Sequence, residues 1–556
     1  MKHISPLKIT TTISIVYFMF CLTLFSFKIQ GQEFDTRPNI ILFVTDDQSP
    51  MPIKDKHVLD SRAFGFNGES KAHTPIIDNL AKNGIIFNRA YVSSSVCSPS
   101  RYTTLTGRYA GRCEGNRFKN LHPEGSMTRV ENNTELEMNR SNLPRLLQKA
   151  GYKTGFVGKS HIVDHHVVNQ PQNWENFGQL TYGKEASVFD PKVSKAMAHN
   201  HTQWVKRIKE YGFDYANGVY AGNLRELYST EANVHNVEWT TDAALEFIEN
   251  QKTDPFFLYY AQTTPHGPAP WIEIKGKFPH GLDADPRITG EGIVETSYDF
   301  MPSRNEIQQE VASIEGKDPN QAWLRWIDQA IGSLVNKLKE KGVYENTLII
   351  VTSDHGATRF GKTTLYETGI RVPLMMHWPK GIKTGLVYDE LVQNIDFAPT
   401  LLDLAGVSIT KNMEIDGESL KPVLAGGQKP IHDHLFFEMG FARGVMTKYW
   451  KYIAVRYDEK SNNKIAKGEI FHGWNNTTSM LPYYTRNSHL GYHACLTNPH
   501  YHESNQLYDL KNDPEERLNI YSEISPISKE MRKLLKEKLI MFKGRPFGEL
   551  ANSIEQ

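Results

Sequence analysis

Residues Pro38–Asp47 read Pro-Asn-Ile-Ile-Leu-Phe-Val-Thr-Asp-Asp, a short apolar run that ends in two carboxylates. Continuous apolar runs of this length are typical of strands that are buried on both faces of a parallel sheet. In open α/β sheets, ligands bind beyond the carboxyl ends of the strands. The stretch therefore predicts a central strand that carries Asp46 and Asp47 to a binding edge, although such pairs also occur in turns and helix caps.

The same pattern recurs far downstream. Residues Asn346–Val351 read Asn-Thr-Leu-Ile-Ile-Val and lead into Thr-Ser-Asp354-His355-Gly. Two parallel strands of this kind would bring three carboxylates and one histidine to a single edge. An oxygen-rich set of ligands favours a hard divalent cation, Ca²⁺ or Mg²⁺, over zinc.

A third stretch supplies a candidate nucleophile. Residues Cys97–Arg108 read Cys-Ser-Pro-Ser-Arg-Tyr-Thr-Thr-Leu-Thr-Gly-Arg, with Ser98 and Pro99 where a helix start takes a capping hydroxyl and a proline. Cys97 would then lie at a helix N-terminus, where backbone amides and Arg101, one turn on, favour a developing anion. The spacing suits attack on an anionic ester, whereas the alternative is a buried or disulfide-bonded cysteine on an ordinary helix.

The two halves of this stretch, Cys-x-Pro-Ser-Arg and Leu105-Thr-Gly-Arg108, resemble the signature of the type I sulfatases of the alkaline phosphatase superfamily. In that family the cysteine is oxidised to formylglycine, so the resemblance implies this modification of Cys97 by a formylglycine-generating enzyme. It also implies that a calcium ion, rather than magnesium, is held by Asp46, Asp47, Cys97, Asp354 and His355. His355 stands where the family more commonly has asparagine.

Three further motifs resemble the family. Gly158-Lys159-Ser160-His161 follows a predicted strand at 153–157, Thr264-Pro265-His266 follows another at 256–261, and Lys-x-x-x-Tyr-Glu-x-Gly-x-Arg-Val-Pro begins at Lys362. A lone loop lysine or histidine is usually structural or solvated. The resemblance nevertheless implies that Lys159, His266 and Lys362 bind the substrate sulfate. Glu367 and Arg371 within the last motif are expected to form a structural pair.

The resemblance also implies a covalent mechanism in which a formylglycine hydrate at position 97 attacks sulfur and later expels sulfate. Arg101, Lys159 and Lys362 would offset the charge of the sulfuryl group. His266 would donate a proton to the departing alcohol, and His161 would orient the hydrate. The catalytic set implied by the resemblance is Cys97, Arg101, His161 and His266.

The implied fold is of the α/β class, with a large mixed, mostly parallel sheet sandwiched by helices, as in alkaline phosphatase. A smaller C-terminal α+β subdomain would combine an antiparallel sheet with a terminal helix. We expect a signal peptide at 1–32, a catalytic domain at 33–430 and the C-terminal subdomain at 431–556. Residues 165–235 and 268–320 lack regular periodicity and are expected to be irregular segments, which often carry specificity.

Composition limits the compartment and the partners. The chain has 556 residues, of which 39% are hydrophobic, enough for a large core. Lysines near the start and an apolar run over residues 9–27 predict a cleaved secretory signal, with a retained membrane anchor as the alternative. Its removal leaves a formal charge of −3, because residues 1–32 contain three lysines and no acid. We therefore expect a secreted or periplasmic protein that has no stable membrane span after cleavage and no nucleic-acid partner.

The remaining cysteines and histidines leave alternatives open. Once Cys97 is modified, Cys113 and Cys495 could form a disulfide in an oxidising compartment or stay as free thiols. The insertion at 486–502 contains His489, His493, Cys495, His500 and His502. Their spacing matches none of the usual zinc patterns, so a role in lining the substrate pocket or a plain surface loop is favoured over a zinc site.

The predicted activity is the hydrolysis of sulfate esters on a sulfated carbohydrate, such as ulvan or another marine algal polysaccharide or its oligosaccharides. One alternative is a phosphodiesterase or phosphonate monoester hydrolase of the same superfamily, since some of these share the cysteine motif. A second alternative is a catalytically silent carbohydrate-binding protein on the same scaffold. The presence of Cys97, the lysines, the histidines and the metal set argues against a pure binding protein.

Overall fold

The fold is built on one large sheet and one small sheet. A computed structural model describes residues 37–50, 63–164, 171–268, 270, 279–356, 361–459, 462–463, 467, 498–501 and 503–551, and the backbone of 471–472 and 478–479. In these residues the strands are β1 Asn39–Thr45, β2 Ile85–Phe87, β3 Ala90–Tyr91, β4 Lys153–Lys159, β5 Tyr215–Tyr220, β6 Phe256–Ala261, β7 Ile288–Thr289, β8 Gly292–Ile293, β9 Thr347–Ser353, β10 Leu374–His377, β11 Leu386–Tyr388, β12 Val392–Gln393, β13 Leu435–Met439, β14 Ala442–Met446, β15 Trp450–Val455, β16 Phe471–His472, β17 Thr478–Ser479 and β18 Asn505–Asp509. The helices are α1 Pro75–Lys82, α2 Cys97–Thr106, α3 Asn116–Leu121, α4 Leu143–Lys149, α5 Pro191–Lys209, α6 Val237–Glu249, α7 Arg304–Ser313, α8 Ala322–Glu340, α9 Glu367–Ile370, α10 Phe397–Leu404, α11 Lys421–Leu424 and α12 Pro526–Leu539.

The large sheet has eight strands in the order β11-β2-β10-β9-β1-β6-β4-β5. Only β10 runs antiparallel to its neighbours β2 and β9, and the other pairs are parallel. The mixed, mostly parallel α/β sheet is therefore confirmed. Central strands β1 and β9 are buried along their whole length, as their apolar runs predict.

Helices enclose the central strands. Ile41 and Phe43 of β1 belong to a core cluster that includes residues of α1, α6 and α8. Ile40 and Leu42, whose side chains point to the opposite face of the pleated strand, are equally buried. Because both faces of the sheet are buried, a ligand can reach the sheet only at the ends of its strands.

The small C-terminal sheet is antiparallel in the order β13-β14-β15-β18, and α12 packs against it. This sheet and its covering helix confirm the predicted architecture. The boundary at 430/431 lies just before β13 and stays a prediction, whereas the expected signal peptide at 1–32 lies outside the described residues.

Two long segments are more regular than the sequence analysis expected. Residues 165–235 contain the 19-residue helix α5 and strand β5, and residues 268–320 contain α7. The expectation of irregular structure was wrong for α5 because its buried stripe includes Asn200 and His201, which interrupt the apolar periodicity. Helix α7 begins with a capping box at Ser303 and Glu306 and buries few apolar residues. The sequence pattern that indicates this helix is therefore the capping box and not an apolar periodicity.

The described residues include Cys113 and His500 but not the other cysteine and histidines of the insertion. Cys113 is a buried free thiol among the described residues, with its Sγ 3.6 Å from the carbonyl oxygen of Glu135. His489, His493, Cys495 and His502 lie outside the described residues, so the Cys113–Cys495 and zinc alternatives stay predictions. His500 pairs with Glu503 at 2.6 Å.

Candidate active site

The carboxylate cluster forms where β1 and β9 end side by side. The two strands are parallel, and Thr45 lies opposite Ser353, so Asp46-Asp47 and Asp354-His355 leave the sheet together. The backbone N–H of Asp47 donates to Asp354 Oδ1 at 3.1 Å. Asp47 adopts a left-handed backbone with φ 62°, a conformation that is costly for a non-glycine residue and concentrates at functional sites. All four side chains are buried.

Cys97 is the first residue of α2 and its thiol is fully buried. Its Sγ lies 3.5 Å from Lys362 Nζ, 3.6 Å from Lys159 Nζ and 3.5 Å from His355 Nε2. Burial raises the pKa of the thiol, but the charges of the two lysines outweigh it and hold the pKa well below its ordinary value. Of the alternatives, a disulfide does not describe Cys97, which is free; the thiol is buried, as the other alternative has it, but two lysines lie against it.

The start of α2 differs from the predicted one. The N-cap residue is Val96, whose side chain cannot accept a hydrogen bond, and the expectation that Ser98 is the cap was wrong. Instead, the backbone N–H of Ser98 donates to Asn132 Oδ1 at 3.2 Å, so a side chain distant in sequence takes the role of the cap. Starting the helix at Cys97 places the sulfur itself in the first turn, beside the positive end of the dipole.

Arg101 joins the carboxylates to one another. Its guanidinium contacts Asp354 Oδ2 through Nε at 3.0 Å and Asp46 Oδ2 through Nη2 at 3.1 Å, and its Nη1 donates to the carbonyl oxygen of Lys159. The side chain is completely buried. Arg101 therefore uses its hydrogen-bond donors to connect the ends of β1 and β9 with the end of β4.

The two lysines bridge the carboxylates and the sulfur. Lys159, the last residue of β4, pairs with Asp46, and Lys362 Nζ lies 2.9 Å from Asp47 Oδ1. Both are buried. The two neighbouring aspartates differ in their pKa: burial and Asp354 raise the pKa of Asp46 to about 6, whereas Lys362, His266 and His355 overcome burial and lower the pKa of Asp47 well below its usual range.

His161 and His266 both reach the sulfur, and their side-chain hydrogen bonds lower the pKa of Cys97 further. His161 is buried and has φ 57°, and its backbone N–H donates to Ala221 O. His266 is the more accessible of the two, with 17% of its side chain exposed and its Nε2 3.9 Å from Asp47 Oδ2. The residues predicted at 97, 101, 159, 161, 266, 355 and 362, with the three aspartates, thus come together in one place.

The arrangement can hold a cation. The ligand atoms of Asp46, Cys97, Asp354 and His355 lie within 4.8 Å of one another, as do those of a second set in which Asp47 and His266 replace Asp354 and His355. The Nδ1 of His355 donates to the Gly356 carbonyl at 2.8 Å, so its Nε2, which lies 2.9 Å from Asp47 Oδ1, faces the cluster. The donor set is rich in carboxylate oxygens, as hard divalent cations require.

Several residues of the site gave no usable sequence signal. Asn223 Oδ1 accepts from Lys159 Nζ at 2.8 Å, and His235 Nε2 contacts the carbonyls of His266 and Pro268. Asn394 Nδ2 contacts the carbonyl oxygen and hydroxyl of Ser100 on α2. These three residues lie next to the ends of strands or helices, where polar residues are common. Only their contacts in the folded chain show that they belong to the site. Glu367 and Arg371 do pair, at 3.9 Å, but the shorter contact of Glu367 is to Lys451.

Comparison with known proteins identifies the chain. The fold and the site define a sulfuric ester hydrolase with an alkaline-phosphatase-like core. The sequence profile of the sulfatase family matches residues 38–407, and a profile of the C-terminal region of N-sulphoglucosamine sulphohydrolase matches residues 354–464. The first match covers most of the chain, so this protein belongs to the sulfatase family.

Curated relatives agree with this assignment, and a solved structure shares the fold. The N-acetylglucosamine-6-O-sulfatase of Bacteroides thetaiotaomicron is 26% identical, with 92% of this chain and 88% of the relative aligned. An ulvan-active sulfatase of Formosa agariphila is also 26% identical, over 91% of this chain and 78% of the relative. The crystal structure of Ps i-CgsB with k-i-k-neocarrahexaose shares the fold, with a TM-score of 0.55, 24% identity and coverage of 93% of this chain and 95% of that one. Within the described ranges, none of the helices has the length and apolar character needed to cross a membrane.

Proposed function

We propose that this protein is a secreted or periplasmic sulfatase that removes sulfate esters from a sulfated carbohydrate, using formylglycine made from Cys97 and a bound calcium ion. The observation that carries the proposal is the environment of Cys97 Sγ, which lies within 3.6 Å of Lys159, Lys362 and His355 in a fully buried site. An anionic group held at this position would meet two ammonium groups while the carboxylates stand ready to hold a cation beside it.

The proposed calcium ligands are Asp46, Asp47, Asp354, His355 and the side chain at position 97. The fit rests on three buried carboxylates, on a histidine whose Nδ1 is committed to Gly356 O, and on two overlapping sets of ligand atoms that share Asp46 and Cys97, each set lying within 4.8 Å. A cation bound there would supply Lewis-acid chemistry to the sulfate and to the nucleophile at position 97. Arg101 then has a positioning role, since it fixes Asp46 and Asp354 and balances part of their charge.

The proposed modification fits the start of α2. Formylglycine in its hydrated form supplies a hydroxyl nucleophile that no ordinary side chain offers. Around it, Lys159 and Lys362 bind the sulfate oxygens. Lys159 pairs with Asp46 and Lys362 with Asp47, and the ammonium groups of both lie next to position 97. Their burial excludes water from the sulfate and strengthens this attraction.

The two histidines divide the proton chemistry in this proposal. His161 is buried and hydrogen-bonds the side chain at position 97, so it orients the nucleophile and takes up a proton there. His266 is more accessible and its Nδ1 donates to the Gly267 carbonyl at 2.9 Å, so its Nε2 can give a proton to the departing alcohol when the ring is in the imidazolium form. Replacing His266 by alanine should spare aryl sulfates with good leaving groups and abolish turnover of sugar sulfates; equal losses on both would contradict this role.

A sulfated carbohydrate is the proposed substrate because two relatives aligned over most of the chain are named for N-acetylglucosamine-6-sulfate and for ulvan. The test is a screen of sulfated mono-, oligo- and polysaccharides for sulfate release. An aryl phosphodiester and an aryl phosphonate are assayed in parallel. Turnover of the phosphorus esters without sulfate release would contradict the proposal.

The decisive experiment is peptide mass spectrometry of protein made with a formylglycine-generating enzyme. We expect the peptide containing position 97 to lose about 18 Da, the change from thiol to aldehyde. The peptide containing Cys113, after reduction, is the internal control and should not show this loss of mass. An unmodified Cys97 in protein from a competent host would contradict the formylglycine mechanism. Secretion is tested separately, by sequencing the N-terminus of protein exported from its host, where cleavage after residue 32 is expected.

A further inference from the structure

A short hydrogen-bonded relay stands behind Lys159. Lys159 Nζ donates to Asn223 Oδ1 at 2.8 Å, and Asn223 Nδ2 donates to Glu226 Oε1 at 3.0 Å. We propose that Glu226 is a positioning residue for the sulfatase reaction: through Asn223 it aims the ammonium group of Lys159 at position 97. The proposal rests on the role of Lys159 in binding the substrate sulfate given above.

The chemistry of the three side chains makes the relay directional. An ammonium group can only donate hydrogen bonds, and a carboxylate can only accept them. Asn223 lies between the two and must therefore turn its oxygen to Lys159 and its NH₂ to Glu226. Without Glu226, the amide could rotate by 180° and present its NH₂ to the ammonium, which would repel Lys159. Glu226 thus selects the one amide orientation that supports the lysine.

The contacts of Lys159 show what this orientation achieves. Its three N–H donors correspond to three neighbours, Asp46 Oδ2, Asn223 Oδ1 and Cys97 Sγ. With two donors fixed by Asp46 and Asn223, the third points at position 97. Losing the Asn223 contact would leave the ammonium held by Asp46 alone and free to turn about that contact.

The burial of Glu226 has no evident structural purpose apart from this relay. The residue is 5% exposed, and within the described part of the chain its only side-chain hydrogen bond is to Asn223. Its Oε2 has no hydrogen-bond partner there, and Tyr220 Oη and Trp174 Nε1, which line the same small cavity, have none either. Burying a carboxylate with so few partners is costly.

Another buried glutamate of the chain shows the contrast. Glu238 receives hydrogen bonds from Nε and Nη2 of Arg304 and from Nε1 of Trp326, all between 2.9 and 3.0 Å. It thereby ties together α6, α7 and α8, as expected of a carboxylate that stabilises a fold. Glu226 makes no such connection, so its single contact to Asn223 is better explained by the lysine beyond it.

The local backbone is built for the relay. Residues Leu224–Leu227 form a 3₁₀ turn, and the backbone N–H of Glu226 donates to Asn223 O at 2.8 Å, which folds the glutamate back over the asparagine. A Cβ atom on Gly222 would lie 1.9 Å from Glu226 Oε2, so a side chain at position 222 would displace the carboxylate from its present place. The turn follows β5, whose last residue Tyr220 pairs with Lys159 of β4, and this register brings the relay to the lysine.

The test compares variants of the matured enzyme. Glu226→Leu removes the acceptor at similar volume, Glu226→Gln keeps an oxygen for Asn223, and Asn223→Ala removes the middle of the relay. We expect Glu226→Leu and Asn223→Ala each to lower kcat/KM by about tenfold to a hundredfold through a misplaced lysine, and to weaken competitive inhibition by inorganic sulfate. The kcat/KM of Glu226→Gln should stay within about threefold of wild type, because the side-chain oxygen of glutamine still accepts a hydrogen bond from Asn223.

Two measurements separate positioning from general damage. The double variant Glu226→Leu/Asn223→Ala should be no worse than Asn223→Ala alone, since both changes break one chain of contacts. The control is Glu246→Leu, because Glu246 Oε2 accepts from Asn217 Nδ2 at 3.0 Å in an exposed asparagine–glutamate pair that includes no lysine. We expect this control to retain wild-type kcat/KM.

Several outcomes would overturn the proposal: wild-type activity and sulfate inhibition in Glu226→Leu, additive losses in the double variant, or equal losses in Glu226→Gln and Glu226→Leu. A crystal structure of Glu226→Leu gives a readout independent of turnover, and Lys159 unmoved in it would refute the relay. Failure of the proposed function is distinct, because the wild-type enzyme itself would then release no sulfate from any substrate.

Discussion

Lys451 Nζ lies 2.7 Å from Glu367 Oε1 and so connects the C-terminal sheet to the segment that carries Lys362. Lys451 is on β15, and Glu367 begins α9, five residues after Lys362. The same ammonium contacts Glu516 Oε1 at 2.7 Å, and all three groups are buried. The small sheet therefore helps to hold one wall of the active site.

The first prediction concerns this connection. Lys451→Met should lower the free energy of unfolding by about 3 to 5 kcal/mol, because it leaves two buried carboxylates without their shared cation. Denaturant unfolding measures the change. Lys448→Met is the matched control: Lys448 is on the surface and pairs with Glu390, so a much smaller change in the free energy of unfolding is expected. Equal effects of the two substitutions would contradict the role of the buried cluster.

The second prediction is a pH dependence of stability from Glu438. Burial raises the pKa of Glu438 from 4.5 to about 7, although Arg443 and the backbone N–H of Gly111 oppose the rise and Asp416 supports it. The folded state then holds a proton that the unfolded state releases between these pH values. Stability is therefore greatest below pH 4.5 as far as this group is concerned, and falls until pH passes about 7.

Glu438→Gln should remove this slope. The unfolding free energy of wild type relative to the variant should decline by roughly 3 kcal/mol from pH 4.5 to above pH 7, about 1.4 kcal/mol for each unit of pKa shift. Unfolding curves across this range measure the difference. An exposed substitution such as Glu523→Gln is the control and should run parallel to wild type. A constant difference between wild type and Glu438→Gln would show that Glu438 titrates alike in both states.

The third prediction concerns the proposed cation. Free Ca²⁺ about a hundredfold above its Kd should raise the unfolding free energy of protein stripped of metal by about 3 kcal/mol. Asp354→Asn should weaken this stabilisation because it removes one charge from the ligand set. Asp403→Asn, which alters a carboxylate paired with Lys421 far from the cluster in sequence, should keep it. Calorimetric scans with and without Ca²⁺ measure the stabilisation in each variant. If Ca²⁺ stabilised Asp354→Asn as much as wild type, the ion would have to bind at another site.

The fourth prediction separates the shape of Arg101 from its charge. Arg101→Lys keeps the charge but loses the planar set of donors that reaches Asp46, Asp354 and the Lys159 carbonyl together. We expect a loss of about a hundredfold in kcat/KM, together with weaker Ca²⁺ binding, because the carboxylates are no longer held at a common distance. Titration of Ca²⁺ by calorimetry gives the second readout. Wild-type Ca²⁺ affinity in Arg101→Lys would contradict the positioning role.

Strand patterns and short motifs were sufficient to predict much of the fold and the composition of the candidate site. The apolar runs before Asp46 and Asp354 predicted two buried parallel strands, and the structure pairs them with Thr45 opposite Ser353. The prediction succeeds because burial on both faces leaves a local signature, an uninterrupted apolar run, that does not depend on distant partners. The motifs at Cys97, Lys159, His266 and Lys362 are likewise local in sequence.

Other parts were beyond local reasoning. Helix α5 escaped prediction because Asn200 and His201 lie on its buried face, where tertiary partners satisfy them: Asn200 hydrogen-bonds the backbone of Leu180, and His201 accepts from Val219 N–H. The helix cap at Cys97 comes from Asn132 rather than from Ser98. In each case the deciding contact joins residues that are separated along the chain.

The sequence by itself determined the family, the central strands and the residue types of the candidate site, because each of these is written in short, contiguous patterns. The tertiary structure alone decided which groups face one another: Arg101 with Asp46 and Asp354, Lys451 with Glu367, and Glu226 with Asn223 behind Lys159. The physical reason is that hydrogen bonds and ion pairs act over a few ångströms in space, whatever the distance along the chain. Their partners are set by strand register and helix packing, which no single segment encodes.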